Sequence, residues 1–154
     1  MKILKSIILA TLIILVTNVS QAQSSDADQV KELIEKLFDA MRASDAESLS
    51  SCFHESAKML TAMVDEQGNT RLAESIVSGF ADAISKAEEG TLDERITGWD
   101  IKVDGPMAMA WTNYEFYRGD TFSHCGVNNF TLFKDNGNWK IIQIIDTRNR
   151  TGCK

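Results

Sequence analysis

The chain has 154 residues, 44% of them hydrophobic, with a formal charge of −6. That length suits one domain with a real hydrophobic core. The acidic balance repels phosphate backbones, and no basic cluster offsets it, so nucleic acid is excluded as a natural partner.

The first residues, "MKILKSIILATLIILVTNVSQAQ", have the form of a secretory signal: Lys2 and Lys5, an apolar run from Ile7 to Val16, and small residues at Ser20 and Ala22. Cleavage is expected after Ala22. The apolar run is shorter than the roughly 20 residues needed to span a bilayer, so no stable membrane anchor is expected once the signal is removed. The remaining 132 residues carry 14 basic and 22 acidic side chains. Export, to the periplasm or the medium, would place Cys52, Cys125 and Cys153 where a disulfide persists, with one thiol left over. The chain contains one proline, Pro106, and no linker, repeat or low-complexity run, so residues 23–154 read as a single domain.

From Asp26, "DADQVKELIEKLFDAMRAS" puts Val30, Leu33, Ile34, Leu37, Phe38 and Met41 at helical spacing. "SDAE", Ser44 to Glu47, has the form of a capping box opening a short second helix with Leu49, Cys52 and Phe53 buried. "AKMLTAMV" reads as a strand ending at "DEQGN". "LAESIVSGFADAISKAEEG" repeats the helical stripe through Ile76, Val77, Phe80 and Ile84, with Gly90 as its stop. Four strands follow: "TLDERITGWDIKV", "MAMAWTNYEFY", "FSHCGVNNFTLF" and "WKIIQIIDT", the last two joined by the hairpin signal Asn136-Gly137. Helices followed by a meander of strands predict an α+β domain, three helices packed on a curved antiparallel sheet.

"SHCG" sets a histidine beside a cysteine, but successive strand side chains point to opposite faces, so His124 and Cys125 diverge. Counting across the Asn136-Gly137 turn puts His124, Gly126, Asn128, Phe130 and Leu132 on one face with Trp139, Ile141, Gln143, Ile145 and Thr147. Its apolar content near the turn makes this the concave face. The same count across "RGDT" adds Met107, Met109, Trp111, Asn113 and Glu115. One cavity would then gather Trp111, Asn113, Glu115, His124 and Asn128, an apolar cup with a few convergent polar groups. Glu115 and His124 are the acid–base candidates. Each has a plainer role: a structural hydrogen-bond network for His124 and Asn128, core packing for Trp111, and solvation at a strand end for Glu115. A register slip of one residue would exchange the faces.

On the other face Cys125 lies opposite Arg148, and Cys153 follows five residues later. A tail folding back would bring Cys125 and Cys153 within bonding distance, and this crosslink is expected over a free thiol. Asp146 and Arg148 would form a surface ion pair. No zinc-ligand spacing, phosphate-cradling glycine loop or "GxSxG" elbow occurs, so no metal or cofactor is expected.

The segments "LFDAMRASDAESLSSCFHESA" and "YEFYRGDTFSHCGVNNFTLFKDNGNWKIIQIIDTRNRTGC" resemble the nuclear transport factor 2-like superfamily, within it the exported SnoaL-like and lumazine-binding-labelled bacterial proteins. The resemblance covers the whole mature chain. It implies a cone-shaped α+β domain, a small-molecule ligand in the cone and a homodimer. It also singles out Asp146, because "IIDTR" is similar to the stretch around which related proteins close their cavity. The superfamily hosts binders, interaction modules, and isomerase, dehydratase and cyclase enzymes on one scaffold, so it implies no single activity.

Overall fold

The computed structural model describes residues 24–65 and 67–153. The expected signal segment therefore lies outside the described residues. Among these, no helix is long and apolar enough to cross a membrane.

Helix α1, Asp26–Arg42, starts at a reciprocal capping box: Ser25 Oγ accepts from the Asp28 amide, and the Asp28 carboxylate accepts from the Ser25 backbone. Its buried stripe is Val30, Ile34, Leu37, Phe38 and Met41. The short helix α2, Ala46–Ser51, is capped by Asp45, whose side chain accepts from the Ser48 amide at 2.9 Å. Ser44, expected to be the cap, instead takes the positive φ of 56° that turns the chain between the two helices.

Strand β1 runs Phe53–Val64 and β2 runs Thr70–Ser75. Helix α3, Val77–Ser85, begins only after β2. Residues 72–75, expected to open that helix, instead pair along the edge of β1, Leu72 with Ala62 and Glu74 with Leu60. Ladder bonding to a neighbour overrides the helix preference of "LAES" here. Strands β3, Leu92–Asp104, β4, Met107–Arg118, β5, Thr121–Asp135, and β6, Asn138–Thr147, complete the sheet. Its order is β2-β1-β6-β5-β4-β3, antiparallel except for the parallel pair β1–β6. At the β5–β6 turn, Asn136 and Gly137 both have positive φ, 47° and 87°, as a two-residue type I′ hairpin requires.

The helices cover one face. Phe38 of α1 meets Phe130 of β5 edge to face, with ring centroids 6.2 Å apart, in a core shared with Ile34, Leu49, Ile84, Leu132 and Ile141. The sheet is curved by one-residue irregularities in the β3–β4, β4–β5 and β5–β6 ladders. Two of them decide which side chains face the helices. In β5, Ser123 is the extra residue: Tyr117 pairs with Phe122, but Phe116 pairs with His124. In β6, Ile142 is the extra residue: Leu132 pairs with Ile141, but Thr131 pairs with Gln143.

Candidate functional site

Beneath α1 and α3 the curved sheet encloses a cavity of about 330 Å³. Leu37, Phe38, Phe80, Ile84, Phe130 and Ile144 make its walls apolar, and one side is polar.

Strand β5 delivers His124 and Asn128 to this cavity, as its alternation predicts, and sends Cys125 to the other face. The neighbouring strands do not follow the uninterrupted count. Because Ser123 is bulged, β4 turns Tyr114, Phe116 and Arg118 inward. Trp111, Asn113 and Glu115 therefore lie on the outer face, which corrects their expected place in the cup. Trp111 is 47% exposed. The carboxylate of Glu115 accepts from the Tyr117 hydroxyl at 2.8 Å on that outer face, so it cannot share a ligand with His124. Beyond the Ile142 bulge, β6 presents Ile144, Asp146 and Arg148 inward in place of Gln143, Ile145 and Thr147. Asp146, singled out by resemblance alone, lines the cavity, and Arg148 joins it there instead of forming an outer-surface pair.

Glu94, on β3, faces the same space and was not singled out from sequence. Asn128 Nδ2 donates to its Oε1 at 2.7 Å. Burial is the main influence on this carboxyl and raises it to about 7; the Asn128 bond opposes that rise, the charge of Asp146 adds to it, and Arg148 opposes it. Glu94 keeps some accessible surface, on the side of the cavity it lines. Its signal was visible in "LDERI", where a lone acid interrupts the apolar face formed by Leu92 and Ile96.

Asp146 is fully engaged. Thr61 Oγ1 donates to its Oδ1 at 2.6 Å, and Arg148 Nε donates to its Oδ2 at 2.8 Å. The His124 ring lies against Phe116, centroids 4.9 Å apart, and edge-on to Tyr114 at 5.8 Å. Its Nδ1 is 3.1 Å from Ser123 Oγ. Burial first, then the positive charge of Arg148, holds the imidazole below its ordinary 6.5, so it is neutral at pH 7. The Tyr114 hydroxyl is pushed well above the usual phenol range, chiefly by burial, and donates to the Thr147 carbonyl at 2.8 Å. That proton is committed to the backbone. Glu94 and His124, with the guanidinium groups of Arg118 and Arg148, keep atoms that no protein group bonds among the described residues.

The tail after β6 runs against β5 near this polar end. Gly126 lets it approach: a Cβ there would stand 1.9 Å from the Thr147 carbonyl oxygen and 2.9 Å from Tyr114 Cε1. The backbones of Cys125 and Asn149 exchange hydrogen bonds of 2.9 and 2.7 Å. Cys125 and Cys153 form a disulfide with Cα atoms 5.7 Å apart, while Cys52 is a buried free thiol. Burial raises the Cys52 thiol, which keeps it protonated and unreactive. Among the described residues, no group of three or more His, Cys, Asp or Glu side chains is placed to hold a metal ion.

This helix-covered curved sheet with a side cavity defines the nuclear transport factor 2-like architecture. Solved structures share it: a protein from Mycobacterium tuberculosis is 17% identical, with a TM-score of 0.65 over 80% of this chain and 71% of its own. A protein from Nostoc punctiforme is 13% identical, with a TM-score of 0.65 over 82% and 92%. A nuclear transport factor 2-like protein from Cytophaga hutchinsonii is 20% identical, with a TM-score of 0.61 over 82% and 100%. Comparison with curated proteins finds no match. The family model described as "Putative lumazine-binding" matches residues 25–144, and the chain belongs to that family.

Proposed function

We propose that this is an exported domain that binds a small, partly apolar organic molecule in its cup. The observation that carries the reading is the 330 Å³ apolar cavity with the Glu94–Asn128 pair on one side. A cavity of this size, mostly apolar with a few placed polar groups, is the usual form of a small-molecule site. A core built for stability alone does better without a carboxyl in it. The family description names lumazine, so that compound belongs among the first probes. The test is mass spectrometry of whatever is released on denaturing protein exported by its native host. An organic molecule near one per chain is expected. An empty protein whose melting temperature no small-molecule probe raises would refute the reading. The proposed export is checked by N-terminal sequencing, which should begin at Gln23.

One observation favours a catalytic second reading. A carboxyl raised to about 7 and a lowered imidazole line one cavity and are candidates for proton transfer, with Glu94 taking the place first given to Glu115. An isomerase, dehydratase or cyclase would then lose kcat in Glu94→Gln and His124→Ala with KM little changed, whereas a pure binder would change only in affinity. We also propose that a second copy of the chain covers the outer sheet face, where Met107, Trp111 and Phe133 are exposed. Sedimentation should give a dimer that Trp111→Lys dissociates.

A further inference from the structure

The polar side of the cup is unbalanced in what it still offers. Both oxygens of Asp146 are occupied, by Thr61 and Arg148, and one oxygen of Glu94 is occupied by Asn128. Arg148 uses only Nε, which leaves its two terminal nitrogens. Arg118, at the end of β4, lines the same cavity and makes no side-chain hydrogen bond or ion pair among the described residues. His124 shares its Nδ1 with the Ser123 hydroxyl, and its Nε2 donates or accepts according to the tautomer. Against these guanidinium donors stand the second oxygen of Glu94 and the side-chain oxygen of Asn128, while the Asp146 charge is already paired with Arg148.

Placement reinforces the imbalance. Arg118 and Arg148 both line the end of the cavity that holds His124, and their charges lower its imidazole against the opposing charge of Asp146. The chain as a whole carries a net charge of −6. A local positive opening on an acidic protein concentrates anions at that spot. The tail that carries Arg148 and Arg150 is held in place by the Cys125–Asn149 backbone pair and by the Cys125–Cys153 disulfide. The opposite end, at Phe38, Phe80, Ile84 and Phe130, is apolar.

The geometry points to an amphipathic organic anion as the ligand class, with its apolar body against Phe130 and Ile84 and its acidic head between Arg118 and Arg148. This deepens the cup-binding reading and rests on it. Arginine forks recognise an acidic head by charge-assisted hydrogen bonds, which are stronger than neutral ones. The disulfide thereby acquires a second role: it fixes the strand end that presents Arg148 to the cup.

The test uses three probes with one apolar body and different heads: decanoate, decanol and decylammonium, titrated calorimetrically into the full mature chain below micellar concentrations. Decanoate is expected to bind at least about tenfold more tightly than decanol, the difference that one charge-assisted hydrogen bond supplies, and decylammonium more weakly than either. Arg118→Gln should weaken decanoate much more than decanol and so remove most of the preference between them. Its side chain bonds nothing in the protein, so the variant folds, and an unchanged melting temperature verifies this. Arg148→Gln should act in the same direction, and reducing the disulfide should weaken decanoate more than decanol. Decanol within twofold of decanoate, a preference for decylammonium, or a preference for decanoate that survives both arginine changes would overturn the anion assignment while leaving the cup a binding site. Failure of all three probes to bind would overturn the cup reading, and this one with it.

Discussion

The two ends of the cup are stabilised in opposite ways. At the closed end, Phe38, Phe130, Leu132 and Ile141 pack in the apolar core, and removal of apolar surface from water holds the structure together. At the mouth, Glu94, His124, Asp146 and Arg148 sit against a tail tied by a disulfide and a close crossing at Gly126. There, burial works against Glu94 ionisation and His124 protonation, and covalent and backbone constraints hold the groups in place. A domain that only had to fold would be apolar at both ends. The difference is what supports the proposal of a ligand site at the mouth.

Substitutions can break this contrast, and the largest effect should come at the closed end. Phe130→Ala leaves a cavity among fully buried neighbours and should cost about 3–5 kcal/mol in denaturant unfolding, with no pH dependence. Cys153→Ser at the mouth releases a loop of sequence separation 28 and should cost about 3 kcal/mol, measured against wild type under non-reducing conditions. In fully reduced samples the two proteins should unfold together.

Glu94→Gln should act the other way. The carboxyl is raised from 4.5 to about 7 in the folded protein, so the fold binds its proton more tightly than the unfolded chain does. Below pH 4.5 both states are protonated and the group costs nothing. As pH rises through that window the unfolded chain ionises first, and stability is lost until the folded group ionises near 7. The amide variant should therefore match wild type at pH 4 and exceed its unfolding free energy by about 3 kcal/mol at pH 8. An equal gain at both pH values would show that the effect is not ionisation. The smallest effect belongs to the outer face: Glu115→Gln keeps an acceptor for Tyr117 and should stay within about 0.5 kcal/mol of wild type, with ligand binding unaltered.

These contrasts also show what was legible beforehand. The helical stripe of α1, the four long strands, the Asn136-Gly137 turn and the inward–outward division of His124 and Cys125 follow from local periodicity, and the chain carries them openly. The β4 and far β6 faces do not, because a single inserted residue inverts everything beyond it. The inserted residues are Ser123 and Ile142, neither of them a glycine, and nothing local distinguishes them from regular strand. They are set by the curvature that two strands must adopt together to close the cup. So Trp111, Asn113 and Glu115 were expected inside and lie outside, while Arg148 was expected on the outer face and lines the cavity, still partly exposed. Glu94 is legible in the sequence, since an acid in an apolar alternation is a local signal. Residues 72–75 became a strand through pairing with β1, a contact that sequence windows do not contain.

The claim on which the account rests is that Glu94 is buried inside the cup against Asn128. Carbon-13 NMR titration of the Glu94 side-chain carboxyl tests it directly. A midpoint near 7 that shifts on Asn128→Ala is the expected result. A midpoint near the ordinary 4.5, unmoved by that change, would put the carboxyl in water and contradict the site.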